Sequence, residues 1–120
     1  MQTKADLGRY GEEKAVHYLM SGGYEILCRN FRCKAGEIDI VARDRTKSSL
    51  IVFFEVKTRR SCIFGLPCES VTVSKLRKIK RVIREYVDAN KHWNCDFRID
   101  VIEVFVMNQK TYLRHLENIF

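Results

Sequence analysis

The chain has one proline, Pro67, and six glycines in 120 residues. No proline- or glycine-rich linker, repeat or low-complexity tract divides it, so residues 1–120 read as a single domain, large enough to bury a real core. No apolar run reaches bilayer-spanning length, which excludes a helical membrane anchor. Glu12 and Glu13 come early and no apolar signal core precedes them, so secretion is not expected. The five cysteines are odd in number and lack a secretory context, which argues for reduced thiols and a cytoplasmic protein. No Walker or dinucleotide glycine pattern is present. His17, His92 and His115 are scattered, and none stands near a serine or cysteine in a nucleophile motif. Acids are the scarcer charge, 15 against 22 Lys and Arg, for a net +7. That balance suggests an anionic partner such as nucleic acid.

What is present centres on Gly36 to Arg60. Two β-branched runs flank a polar break from Arg45 to Ser49, the pattern of a hairpin. Centring the hairpin on Lys47 puts Asp44 opposite Leu50, Asp39 opposite Glu55 and Glu37 opposite Lys57. Alternation along a strand then gives an apolar face of Ile38, Ile40, Val52, Phe54 and Val56. Glu37, Asp39, Glu55, Lys57 and Arg59 share the other face. Two carboxylates directly opposite repel unless neutralised. Lys57 could help, and a divalent cation would do it better, because Mg²⁺ takes hard oxygen ligands from one or two carboxylates plus phosphate and water. Such an ion polarises phosphate and acidifies water, and a lysine beside it can orient that water. Asp-x15-Glu-x-Lys on a hairpin is therefore a candidate phosphodiester-cleaving site. A solvated strand face with incidental charges is the alternative.

Around it, Lys4 to Ser21 reads as a helix with Leu7, Tyr10, Ala15, Tyr18 and Leu19 as its apolar stripe, Asp6 at its start and Gly22-Gly23 at its end. Gly8 and Gly11 are unfavourable inside a helix and suggest close packing against a neighbour, with Glu12 alongside. Tyr24 to Arg32 reads as a strand, and Ser61 to Val71 as a loop. Thr72 to Lys91 reads as a second helix, capped by Thr72 or Ser74, with Leu76, Ile79, Val82, Ile83, Tyr86 and Val87 buried. Lys75, Arg77, Lys78, Lys80, Arg81 and Arg84 occupy its remaining surface; such a run is usually a solvated face, but almost no acid balances it until Glu85, which favours a helix that tracks a phosphate backbone. Two strands close the chain, from Asn94 or Cys95 to Val106 and from Thr111 to Glu117. The first shifts its apolar phase near Val101-Ile102, which calls for a bulge or burial on both faces. A zinc site from Cys28, Cys33, Cys62, Cys68, Cys95 and His92 is weighed against buried inert thiols.

Several motifs together resemble one family. Gly8-x-x-Gly11-Glu12-x-x-Ala15-x-x-Tyr18-Leu19, Gly23-Tyr24, Arg29-Asn30, Gly36-Glu37-Ile38-Asp39, Phe54-Glu55-Val56-Lys57-Thr58-Arg59, Phe64-Gly65-x-Pro67, Arg98-x-Asp100-Val101-Ile102 and Asn118-x-Phe120 are similar to the YraN-like family of small bacterial proteins. That family resembles the PD-(D/E)XK endonuclease-like superfamily and its archaeal Holliday junction resolvases. The resemblance implies an α/β fold, an α-β-β-β-α-β core with a mixed central sheet flanked by helices. It implies metal-ligand roles for Asp39 and Glu55, the lysine role for Lys57 and a supporting glutamate at Glu12. Ile38 replaces the proline of the superfamily's name, and Val73 a frequent proline at the basic helix.

The expected function is a Mg²⁺- or Mn²⁺-dependent nuclease acting on DNA, including branched recombination or repair intermediates. Asp39, Glu55 and the Val56 carbonyl would bind metal, and Lys75, Lys78, Arg81 and Arg59 would contact nucleic acid. The rivals are a non-catalytic nucleic-acid-binding module and an RNA-processing partner protein, and a homodimer stays open as an assembly.

Overall fold

The computed structural model describes residues 3–47, 49–60 and 73–119. The elements are α1 (Lys4–Ser21), β1 (Tyr24–Cys33), β2 (Gly36–Asp44), β3 (Leu50–Arg59), α2 (Val73–Asn90), β4 (Asp96–Met107) and β5 (Lys110–Leu116). This is the expected α-β-β-β-α-β order of a mixed α/β fold, continued by one more strand. The sheet runs β1-β2-β3-β4-β5. All neighbours are antiparallel except β3 and β4, which are parallel. A parallel pair needs a crossover, and the segment containing α2 supplies it.

α1 starts at a capping box: Thr3 accepts from the Asp6 backbone N–H while the Asp6 carboxylate accepts from that of Thr3. Thr3 is thus the N-cap, and Asp6, expected at the start, is its reciprocal partner. The positions offered as caps of α2 fare differently: Thr72 lies outside the described residues, and Ser74 is inside the helix.

Both faces of the sheet are buried. Ala15, Val16 and Leu19 of α1 pack on Ile40, Ala42, Val52, Phe54, Ile102 and Val104. Val82, Tyr86 and Val87 of α2 pack on Ile38, Val41, Ile51 and Phe53. Phe53 and Phe54, adjacent in β3, anchor opposite cores, and each fully buried ring contributes about 1.5–3 kcal/mol. The expected polar face of the hairpin is therefore corrected: its odd positions Val41, Ile51 and Phe53 lie under α2. β4 resolves its phase shift by burial on both faces, with an unbroken register on β3. Cys28, Cys33 and Cys95 are free thiols packed around the α2 core; Cys62, Cys68 and the Phe64-Gly65-x-Pro67 motif lie outside the described residues.

The hairpin register agrees with the turn centred on Lys47. Lys47 donates its N–H to the Asp44 carbonyl and its own carbonyl accepts from Leu50, while Asp44 also caps Thr46. The partners Arg43↔Ile51 through Ile40↔Phe54 continue that register. The pairing goes no further than Ile40, the residue after Asp39.

Candidate metal centre

Asp39 is released from the sheet on both sides. β2 and β3 pair no further than Ile40↔Phe54. On the other flank, β1 pairs Arg29↔Ile40 and Phe31↔Ile38 but skips Asn30 and Asp39. Asn30 adopts a left-handed backbone, φ 54, which asparagine tolerates better than most residues. The break also explains Ile38. Expected on the face of Ile40, it packs instead in the α2 core, because the alternation of β2 does not survive the unpaired Asp39.

The freed carboxylate takes the place of a strand partner: Asp39 Oδ2 accepts the Val56 N–H at 2.7 Å. The N–H and C=O of one strand residue project to the same side, so the Val56 carbonyl also faces the gap where Asp39 lies. Asp39 and Val56 line a cavity of about 400 Å³ with Glu12, Thr58, Lys4, Leu7 and Gly8. Glu12 is placed there by Gly11. A Cβ on Gly11 would stand 1.8 Å from Thr58 Oγ1, so only glycine lets α1 lie this close to β3. Gly8 has the opposite character, since a Cβ there would meet nothing within 4 Å. Its missing side chain leaves the cavity wall open. Glu12 is held from β1 by Asn30 Nδ2 at 2.9 Å and by Arg29 Nε and a terminal nitrogen, both at 3.3 Å. Arg29 also reaches Glu13 at 2.6 Å.

Glu55 and Lys57 flank Val56 and share a face of β3, with Lys57 Nζ 3.9 Å from Glu55 Oε1. They do not line the cavity, whose contribution from this stretch is Val56 and Thr58. The acidic charges nevertheless act together on Asp39. Burial raises its pKa from 3.8 to about 6, the Val56 N–H opposes that rise, and the charges of Glu12, Glu55 and Glu37 add to it. Arg59, expected to face nucleic acid, has Nε 3.5 Å from the buried Glu103. Lys75, Lys78 and Arg81, with Arg77, Lys80 and Arg84, are all exposed along α2. They lie on the helix facing away from the core that Val82, Tyr86 and Val87 enter.

This shift has a measurable consequence. The folded protein binds the Asp39 proton more tightly than the unfolded chain, so stability falls as pH rises from about 4 through about 6. The deficit above that range is roughly 3 kcal/mol for two pKa units. Asp39→Asn is expected to raise the unfolding free energy at pH 8, without divalent metal, by about 1–3 kcal/mol, with the gain vanishing near pH 4. Urea denaturation at the two pH values checks it. A variant less stable than the parent at pH 8 contradicts the electrostatic account.

A second acidic group was not singled out from sequence. Ligand atoms of Asp100, His115 and Glu117 lie within 4.8 Å of one another, so by distance they could hold a metal ion. Asp100, however, is saturated. It accepts from Arg98 Nε and a terminal nitrogen at 2.9 Å each and from the Asn118 N–H at 2.9 Å, and it lies 2.8 Å from His115 Nε2. Burial pushes its pKa up, but the bonds from His115, Arg98 and Asn118 outweigh burial and hold it below the usual value. His115 Nδ1 in turn meets Tyr18 Oη at 2.9 Å. The arrangement ties α1, β4, β5 and the residues after β5 together. Non-local partners of this kind leave no spacing signal; Tyr18, Arg98-x-Asp100 and Asn118 stood in the family motifs without a role attached.

A solved chain, Pyrococcus furiosus SfsA in complex with Ca²⁺, is similar at 12% identity and TM-score 0.37, over 92% of this chain and 62% of that one. The chain thus spans about 62% of that protein's length. A UPF0102 protein of Caldicellulosiruptor saccharolyticus is 50% identical over 120 residues, covering 98% of this chain and 99% of its own. Relatives from Clostridium acetobutylicum and Alkaliphilus oremlandii are 46% and 45% identical over 94% and 95% of this chain. With residues 11–104 also matching the family model described as "Uncharacterised protein family UPF0102", the chain belongs to that family.

Proposed function

We propose that the chain is a metal-dependent nuclease of the cytoplasm, acting on DNA, with branched recombination or repair intermediates as the substrates to test first. The observation that carries this reading is Asp39. Its carboxylate is half-buried where β2 parts from β3, accepts the Val56 N–H, and carries a pKa raised first by burial and then by three neighbouring carboxylates. Carboxylates perturbed by burial and by like charges cluster at functional sites. The donor set fits a hard cation: Asp39, Glu55 and the Val56 carbonyl would hold Mg²⁺ or Mn²⁺, with Glu12 supporting from the cavity wall. A bound ion would polarise the phosphate and acidify the attacking water. Lys57 would orient that water and offset charge developing on the phosphate. Arg29 and Asn30 keep the Glu12 side chain over the cavity. Lys4, on the cavity wall, would offer a positive charge to an approaching phosphodiester.

α2 would supply ground-state affinity. Lys78→Gln with Arg81→Gln is expected to weaken DNA binding alike across sequences and to reduce the slope of log affinity against log salt by about two. Fluorescence anisotropy across a salt series reads this; an unchanged slope leaves α2 merely solvated. A non-catalytic nucleic-acid-binding module is the second reading, favoured by the six exposed bases of α2, which need no acidic site. Incubating the parent with linear, branched and single-stranded substrates plus Mg²⁺ or Mn²⁺ separates the two. Metal-dependent cleavage supports the nuclease, and none on any substrate supports the module.

A further inference from the structure

Helix α2 ends in a turn that presents the chain's single tryptophan, and neither the core nor the proposed chemistry uses it. Trp93 is 61% exposed. Its ring is nonetheless held, because Nε1 donates to Asp88 Oδ1 at 3.0 Å. The turn beneath it is fixed as well. Lys91 takes a left-handed backbone, φ 57, and the His92 N–H returns to the Val87 carbonyl at 3.1 Å, which closes α2 as a Schellman motif does. The His92 ring stacks on buried Tyr86, with centres 5.9 Å apart, and its carbonyl accepts the Cys95 N–H at 3.2 Å. An indole left in water but tethered in place offers a flat apolar face that loses little freedom on binding.

Its surroundings say what it would meet. Arg77, Arg81, Arg84 and Asp88 are all exposed and recur at helical spacing, so they form one stripe along α2. At 1.5 Å per residue the stripe is about 16 Å long. Three guanidinium groups lead along it to the carboxylate that holds Trp93, so the surface changes from cationic to aromatic along one line. A nucleic acid strand offers the matching order. Its phosphates suit the planar guanidinium forks, and a base suits the aromatic face. A base inside a duplex is already stacked on both sides, so only an unpaired one can cover the ring. Trp93 also stands far from the cavity. It precedes β4, which starts at Asp96 opposite Leu50, whereas the cavity lies further along β3 at Val56, about 20 Å away at 3.3 Å per residue. The ring is thus placed to hold a strand, not to act on the bond that is cut.

We propose that Trp93 is a stacking platform for an unpaired base, on a strand whose phosphates run along Arg84, Arg81 and Arg77. The protein therefore prefers DNA with a single-stranded stretch over blunt duplex. This rests on the reading of α2 as a DNA contact and narrows the substrate class of that reading.

The test is run in EDTA, so binding is read without metal or cleavage. Because the chain has one tryptophan, indole emission reports on Trp93 alone. Saturation with a short unlabelled thymidine oligonucleotide is expected to quench that emission roughly twofold or more, as base stacking would, and blunt duplex should change it little. Trp93→Leu should weaken binding of the labelled oligonucleotide about tenfold and of the duplex by less than about twofold. Its salt slope should match the parent's, because no phosphate contact is lost. Trp93→Phe keeps an aromatic face without the bond to Asp88, and should retain most of the affinity. Quenching needs no substitution, so it decides the matter if Trp93→Leu does not fold. Oligonucleotide binding without quenching, equal quenching by duplex, or a Trp93→Leu variant that binds like the parent overturns the platform and leaves the nuclease reading standing. So does emission that shifts with protein concentration before DNA is added, the ring then being covered by a second copy. A parent that binds neither DNA overturns both.

Discussion

Gly11→Ala is expected to destabilise the protein by about 3 kcal/mol or more, lowering the melting temperature by roughly 10 °C or more. Alanine would ordinarily improve a helix by about 1 kcal/mol, so the sign itself is informative. The new Cβ would lie 1.8 Å from Thr58 Oγ1 and 2.8 Å from both Thr58 Cβ and Cγ2. No rotation of Thr58 clears its own Cβ, so α1 must retreat from β3. That movement would open the core formed by Ala15, Val16 and Leu19 and carry Glu12 away from Asp39. Thr58→Gly in the same chain removes all three clashing atoms and should restore part of the loss, whereas Thr58→Ala should restore less. Additive effects of Gly11→Ala and Thr58→Gly in a thermal denaturation cycle would show that the contact is not the cause. Gly8→Ala serves as the internal comparison: with open space around it, it should be neutral or stabilising.

Lys57→Ala carries the largest expected effect on turnover. If Lys57 acts on the charge that develops in the transition state, its loss should reduce cleavage about 100- to 1,000-fold while leaving most DNA affinity intact, because on the proposed reading α2 supplies the ground-state contacts. Stability should barely move. The Lys57–Glu55 contact is long, 3.9 Å between half-exposed side chains, and such surface pairs contribute about 0–1 kcal/mol. Single-turnover cleavage and anisotropy on the same preparations check both halves. A variant that loses affinity and cleavage in equal proportion would place Lys57 in binding rather than chemistry.

The parts of this fold legible in the chain were those governed by local rules. Helix α1 begins at Lys4 and ends at Ser21, where the stripe and Gly22-Gly23 put it. The turn residues around Lys47 fixed the β2–β3 register without any knowledge of the rest of the sheet. What alternation could not reveal was burial on the second face. Val41, Ile51 and Phe53 look like part of a polar face only because Glu37, Asp39, Glu55 and Lys57 share their parity. Ile38 was misplaced for a related reason: the break at Asp39 depends on Asn30 of the neighbouring strand, and β2 alone carries no sign of it. Glu103 was hidden because its arginine partners come from β5 and β3 at unrelated spacings, and the role of Asp100 because His115 and Asn118 reach it from β5 and beyond, although Arg98 stands only two residues away. Glu12 beside Asp39 was anticipated from Gly11 and from family resemblance. Its anchors Arg29 and Asn30 were present only as an unexplained pair in the motif.

The central claim is that Asp39 is kept ionisable and crowded because it holds a divalent cation. Titration calorimetry with Mn²⁺ at pH 8, on the parent and on Asp39→Asn, tests it most directly. The account predicts saturable binding by the parent that Asp39→Asn loses, although the variant is at least as stable. Equal binding by both proteins, or none by the parent with or without DNA, would contradict it.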